Sequence, residues 1–397
     1  MNLMYNRIKS DVLQDGSITT FRKRQYEFIP TLCNLVVNYI SKQYDDFLTL
    51  TELNITNDNS YHGLNNSILT NISIKCSILG GEPIEILNFI IPKLINDQYI
   101  YLNGNYYIPA MYAVDMPISN KNESCKISGL FNSLSILFKQ DHCTFLNLNI
   151  PLNYLFQLLF DKNDDVEFYK LYDILKQKYK LSFEELTDES IINYFVTKFK
   201  NVCPTKYDII KKIENLLFDD YIINLYKHAY KLDEVTLKNV IYKGIELQLS
   251  DSKISFIDLN YKRIIFLEAL LKPFLKIIGI NAKLAAFEPT KYTPHNLISF
   301  NKLQIAKHFL TPNDPNKETT GLGGESLYCT YNMYDGMLQY KLIMVQPGTK
   351  NPPAEVRGIH PSHFGVICPI TITNEDPGKS VSLIPSTIVS DYGLFLK

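Results

Sequence analysis

"EVRGIHPSHFGVICPI", residues 355–370, decides how the rest of this sequence is read. His360 and His363 stand three apart, and Cys368 follows five later. A structural zinc site needs four Cys or His ligands, usually as two close pairs. Only one such pair exists here. His62, His142, His228, His295 and His308 have no paired spacing, and His142 lies directly beside Cys143. Pro361 breaks any helix that would bring both ring systems to one face. The expectation is therefore a tightly packed turn whose histidines hydrogen-bond internally, with zinc held by His360, His363 and Cys368 as a lesser alternative. Cys368, between Val366-Ile367 and Pro369, reads as a buried thiol with nothing to activate it.

Working outward, 397 residues suffice for a large core and usually for more than one domain. Apolar content of 46% and charged content of 20% exclude a disordered chain. A formal net charge of −1 argues against a globally basic nucleic-acid binder, though not against a local patch. No apolar run reaches the roughly 18 residues of a membrane helix. The segment "MNLMYNRIKSDVLQDG" lacks the apolar centre of a secretory signal. Seven scattered cysteines without a C-x-x-C pair fit reduced thiols.

Along the chain, 21–48 opens with a basic cluster, "FRKR", and continues as an amphipathic helix through Leu32, Leu35, Val36, Tyr39 and Ile40. The cluster reads as surface and the apolar stripe as core. Residues 51–70, rich in Asn, Thr and Ser, predict a loop. "YIYLNGNYYI" (99–108) sets Asn103-Gly104 between two strand-forming runs, a hairpin signal. Residues 130–160 predict strand, turn and then a helix from Pro151, and 161–235 mostly helix with a solvated charged face. "DKNDD" (161–165) reads as an exposed turn. Residues 239–257 alternate like strands, and 258–287 predict a long helix capped by Asp258 and interrupted at Pro273. The "TPNDPNKETTGLGGE" segment (311–325) is a polar loop without the Lys-Ser/Thr of a phosphate loop. The fold class expected is mixed α+β in several domains.

The opening stretch resembles the block E-V-R-x-(V/I)-H-P-(T/S)-H-(Y/F)-G-x-(V/I)-C-P-I of the β subunit of multisubunit DNA-directed RNA polymerases. The likeness runs through Glu355, Val356, Arg357, His360, Pro361, Ser362, His363, Phe364, Gly365, Cys368, Pro369 and Ile370. The family's Arg after the glycine is Val366 here, and "TITNEDPGKSVSLI" keeps Leu383-Ile384 but not the family's T-P-E-G core. "IPKLINDQYIYLNGNYYI" is similar to the family's I-P-L-M-T-D-x-G-x-F-I-I-N-G-x-E-R-V, with Tyr106-Tyr107 in place of Glu-Arg. "NIPLNYLFQLL" (149–159) is similar to the start of the family's lobe helices. "IDLNYKRIIFLEALLKPF" (257–274) is similar to its I-D-x-L-G-N-(R/K)-R-(I/V)-R-x-x-G-E, through Asp258, Lys262, Arg263 and Glu268. The helix of 31–47 stands where the family has its first helix.

The resemblance implies an architecture. Residues 1–115 would be a protrusion-like first segment and 116–252 a lobe-like insertion. Residues 253–310 would be the protrusion's return, and 311–397 a fork-like region near the active centre. The family's block lies near the middle of β, so this chain is expected to be the N-terminal part of a split β subunit, most like those of jumbo bacteriophages.

It would form one wall of the nucleic-acid channel. Mg²⁺ would be held on a partner chain by the family's Asp-x-Asp-x-Asp motif, which this sequence lacks, so no catalytic residue and no metal ligand is assigned here. Expected partners are a C-terminal β-like chain, β′-like chains, the DNA template and RNA transcript, and a promoter-specificity factor, with no membrane. The expected location is the cytoplasm of an infected bacterial host, or the virion. Sequence-independent contact with a hybrid needs cations at phosphates. The candidates are Arg357, which matches the family's Arg, and Lys341, Lys350 and Lys379; for the last two, a solvated loop charge is an equal alternative. His360, His363 and Cys368 are assigned to shaping the loop. For Lys262 and Arg263 an ion pair with Glu268 or Asp258 is as well founded as a nucleic-acid contact. The alternative function is a non-catalytic nucleic-acid or protein binding module derived from a β subunit.

Overall fold

The computed structural model describes the strands of 48–56, 69–78 and 84–95 and almost all of 99–250. It also describes 257–266, 326–327, 341–345, 357–369, most of 380–396, and isolated residues of 21–39 with Glu268. Lys350, Lys379, the 311–325 loop and residues 269–287 of the expected long helix lie outside the described residues. The fold is mixed α and β, with several sheets and, among the described residues of 152–249, six α-helices. No helix among them is long and apolar enough to cross a membrane. The chain divides into two compact units, one formed by 1–114 with 256–397, the other by 115–255.

In the first unit, the described residues of 21–39 are helical, as the apolar spacing predicts, with Phe21 and Leu35 buried. Strands β1 (Leu48–Thr56), β2 (Leu69–Ile78) and β3 (Ile84–Pro92) form an antiparallel sheet. The predicted loop of 51–70 is therefore corrected over 51–56 and 69–70. Thr and Ile in "LTLTELNIT" favour extended backbone, and the segment pairs along its length with β2, Leu53 opposite Ile74 and Ile55 opposite Ile72. After β4 (Leu94–Ile95), β5 (Tyr99–Leu102) and β6 (Asn105–Ile108) pair with Leu102 opposite Asn105, the register of a two-residue hairpin. β7 (Met111–Asp115) follows, with Met111 and Tyr112 buried.

The second unit is a contiguous stretch of chain. Strands β8 (Ile118–Lys121), β9 (Ser124–Ser128), β10 (Ser133–Leu137), β11 (His142–Phe145) and β12 (Leu148–Pro151) form an antiparallel meander in the order β12-β11-β10-β9-β8. Period-two alternation buries Cys125, Ile127, Leu134, Ile136, Cys143, Phe145 and Ile150. Six helices follow: α1 (Leu152–Leu159), α2 (Val166–Tyr179), α3 (Asp188–Phe199), α4 (Lys206–Leu217), α5 (Asp220–Tyr230) and α6 (Leu237–Leu249).

Helix α6 overturns the strand reading of 239–257 over 239–249. Leu237, Val240, Ile241, Gly244, Ile245 and Gln248 are buried, a spacing of three and four that only a helix directs to one side. Thr236 caps its start by accepting from Asn239 N at 3.2 Å. The helix lies against β8 and β9 so closely that a Cβ on Gly244 would stand 2.7 Å from the Cys125 sulfur. Tyr226 is fully buried and its hydroxyl donates to Ser128 O at 3.2 Å, which ties α5 to the meander.

The chain then returns to the first unit. Asp258 does cap a turn, accepting from Asn260 N at 3.0 Å, but only one 3₁₀ turn over Leu259–Tyr261 comes after it. The expected helix is replaced over 262–265 by strand β13 (Lys262–Ile265). The reason is lateral pairing: β13 lies beside β7, and Ile264 N donates to Gly393 O at 2.8 Å. β14 (Ser326–Leu327) pairs with β6. β15 (Leu342–Met344) and β16 (Ser380–Ser382) complete a four-stranded sheet in the order β13-β7-β15-β16, with β15 parallel to β7. The segments 253–310 and 311–397, read separately in the sequence, thus supply neighbours to one sheet. A short hairpin of β17 (Ile388–Val389) and β18 (Phe395–Leu396) closes the unit. At its tip Gly393 has φ of +78°, and a Cβ there would lie 1.8 Å from Ile264 O, so this position requires glycine.

Candidate functional site

The stretch with the most specific sequence signal folds as a turn over 357–369, and backbone chemistry accounts for its shape. Pro361 presets φ for the first residue of a 3₁₀ turn, Pro361–His363. His360 caps that turn: its Nδ1 accepts from Ser362 N at 3.3 Å. His363 returns the bond, its Nδ1 accepting from His360 N at 3.4 Å, a reciprocal capping box made of two imidazoles. Gly365, at φ of +75°, is exposed at the bend before the chain returns to the buried Ile367, and nothing lies within 4 Å of where a Cβ would be.

Two segments hold the turn in place. From 257–261, Leu259 N donates to Ser362 Oγ at 2.9 Å, and Ile257 O accepts from His363 Nε2 at 2.7 Å. From 382–387, Ser382 O accepts from Cys368 N at 2.8 Å, Ile384 N donates to Val366 O at 2.9 Å, and Thr387 Oγ1 donates to Val366 O at 2.9 Å. The second of these segments is itself anchored, since the Lys341 carbonyl accepts from Leu383 N at 3.0 Å. Asp258 Oδ1 lies 3.6 Å from His360 Nδ1. Below the turn is a cavity of about 40 Å³, bordered by Ile257, Lys262, Ile343, Arg357, His363 and Leu383. That volume admits one or two waters and no nucleobase.

Of the residues assigned to shaping the loop, His360 and His363 bond to each other's end of the 3₁₀ turn, with His363 buried, and Cys368 is buried five residues further on. Both His363 nitrogens are engaged by protein atoms, so a zinc ion on His360, His363 and Cys368 would have to displace two of the bonds that form the turn. Among the described residues no group of three His, Cys, Asp or Glu is placed to hold a metal ion. Burial pushes the His363 imidazole below the ordinary histidine range, against the weaker opposing pull of the Ile257 carbonyl.

The cationic candidates separate. Arg357 is exposed at the start of the turn, and within the turn Ile359 (60% exposed) and Phe364 (78%) are exposed as well. Lys341 is corrected as a surface contact. It is only 5% exposed, directly before β15, and burial lowers its ammonium pKa. Lys350 and Lys379 fall outside the described residues.

Arg263 meets the ion-pair alternative: its Nη1 and Nη2 donate to Glu268 Oε1 and Oε2 at 2.7 and 2.5 Å, with both residues buried. Arg24 of the "FRKR" cluster pairs at the surface with Asp391. In "DKNDD", Asp165 pairs with Lys238 at 2.6 Å and receives Asp161 N at 2.9 Å, so the run is a turn before α2. The sequence assigns no separate role to Ser362, whose hydroxyl joins His360 Nδ1 to Leu259 N. An ST-type signal in Pro-Ser-His marks it locally, but Leu259 lies 103 residues away. No protein-family model matches this chain, and no curated protein matches it.

Proposed function

We propose that this chain is the N-terminal part of a split β subunit of a multisubunit DNA-directed RNA polymerase, most like those of jumbo bacteriophages. It forms one wall of the nucleic-acid channel. The observation that carries the reading is the block from Glu355 to Ile370, whose residues agree with the family's pattern over a long, specific string.

The turn's construction supports the same reading. A rigid loop that turns its histidines inward and leaves Arg357 at the surface is suited to meeting a phosphate backbone in fixed register. Sequence-independent contact of this kind needs charge and position, not base recognition. In the assembled enzyme, Mg²⁺ would be held by carboxylates of a partner chain and would supply charge stabilisation for nucleotidyl transfer. This chain's residues do not fit that role, and no step of the reaction is assigned to them. Arg357 binds, and the turn orients it.

The test is affinity purification of the chain from its native host, mass spectrometry of the proteins that accompany it, and a transcription assay on the eluate. Recovery of a second β-like chain and β′-like chains with Mg²⁺-dependent RNA synthesis is expected. Recovery of the chain alone, or with unrelated proteins and no synthesis, would replace this reading with a non-catalytic module derived from a β subunit.

A further inference from the structure

We propose that His363 is a proton-sensitive latch that fastens the 357–369 turn to the 257–261 segment within the first unit. The hydrogen-bond partners fix its resting state. Ile257 O can only accept, so Nε2 carries the proton; His360 N–H can only donate, so Nδ1 presents its lone pair. The latch is closed only when the ring is neutral and in this tautomer.

Protonation adds an N–H at Nδ1 that faces the His360 N–H, donor against donor, so the capping box opens. It also places a charge on a ring that is 8% exposed. The charged and titratable groups that the described residues bring around the ring or the cavity beside it are His360, Asp258, Lys262 and Arg357. The Ile257 carbonyl and Asp258 favour the charged ring, whereas His360 disfavours it. Burial is the largest influence and keeps the ring neutral. Once the box opens, the Ser362 hydroxyl, which bridges Leu259 N and His360 Nδ1 at 2.9 and 2.8 Å, loses its fixed frame. His360 can then turn toward Asp258, already 3.6 Å away. The exposed residues of the turn, Arg357, Ile359 and Phe364, would move with it. The device is independent of what those residues bind.

The sign is set by the direction of the shift. The folded ring holds its proton less readily than an unfolded histidine, so the latch is intact above about pH 6.5 and weakens as pH falls below it. The experiment is hydrogen exchange by mass spectrometry on the full chain at pH 7.5 and 5.5, corrected for intrinsic exchange. Opening of the peptides covering 257–261 and 357–369 is expected to rise up to about tenfold, the factor given by an opened histidine of ordinary pKa near 6.5. Peptides of the 115–255 unit should be unchanged. His363→Gln, which keeps a donor and an acceptor but does not titrate, should abolish the pH dependence. A rise spread over the whole unit, no rise, or a rise that persists in His363→Gln would overturn the latch. If that variant fails to fold, the ring's tautomer in the unaltered chain, read by ¹⁵N NMR of labelled histidine, decides: a protonated Nδ1 at neutral pH would overturn it.

Discussion

The 115–255 unit and the 357–369 turn hold their shapes by opposite means. In the unit, neighbours in sequence are mostly neighbours in space: five strands succeed one another in a meander and six helices come after them in order. Its stability rests on apolar side chains at periods of two and three to four. The turn has almost no apolar core of its own. Its outer residues are exposed, and its shape comes from hydrogen bonds to segments about a hundred positions away and to 382–387. A periodic apolar pattern is tolerant, since one residue among many can change. A polar clamp is not, because each lost partner leaves a buried donor or acceptor unpaired.

That contrast can be broken first in the core. Phe156 packs edge-on against Phe168 and Tyr172, with ring centroids 5.4 and 5.5 Å away. Phe156→Ala should cost about 3–5 kcal/mol in denaturant unfolding, from lost burial and the cavity left behind. A cost under about 1 kcal/mol would show that the aromatic cluster is not a working core. Next comes the buried Arg263–Glu268 pair. Glu268→Leu should cost about 3 kcal/mol, because it strands a buried guanidinium, while Arg263→Met with Glu268→Leu together should recover most of it. Equal losses in the single and double variants would mean that the pair acts through packing alone.

Glycine positions sharpen the comparison further. Gly393→Ala meets Ile264 O and should lower the unfolding midpoint well beyond Gly365→Ala, which faces open space and carries only the left-handed backbone cost of about 1–2 kcal/mol. Cap removal is smaller: Thr236→Ala should cost about 1 kcal/mol, read by thermal melting. Thiol chemistry gives a last, qualitative check. Burial pushes the Cys125 and Cys143 thiols up to about 12, so neither should react with a thiol reagent at pH 8 until the 115–255 unit is unfolded. Prompt labelling of either one in the folded chain would contradict the core described here.

What could be read from the sequence divides along the same line. The Asn103-Gly104 hairpin and the helices of 161–235 declare themselves locally, through turn chemistry and spacing. Residues 239–249 mislead because "IELQL" alternates as a strand does and Val240 and Ile241 are β-branched. The Thr236 cap and the three-and-four spacing carry the true signal. Asp258 is legible as a cap, but the strand beyond it is not, since β13 exists only through its neighbour β7. At the turn, Pro361 tells correctly that the histidines share no helix face. Their partners Ile257 and Leu259 carry no mark in the sequence, and neither does the burial of Lys341.

The order of strands β13-β7-β15-β16 has a consequence for synthesis on the ribosome. β7 is made early, yet its two sheet neighbours come from 262–265 and 342–344. The nascent chain can complete the contiguous 115–255 unit while β7 still lacks both partners, because local contacts need no distant loop to close. The sheet waits for well over two hundred further residues, and the turn over 357–369 waits with it. Until then Met111 and Tyr112, buried in the finished protein, stay open to whatever binds exposed strands in the cell.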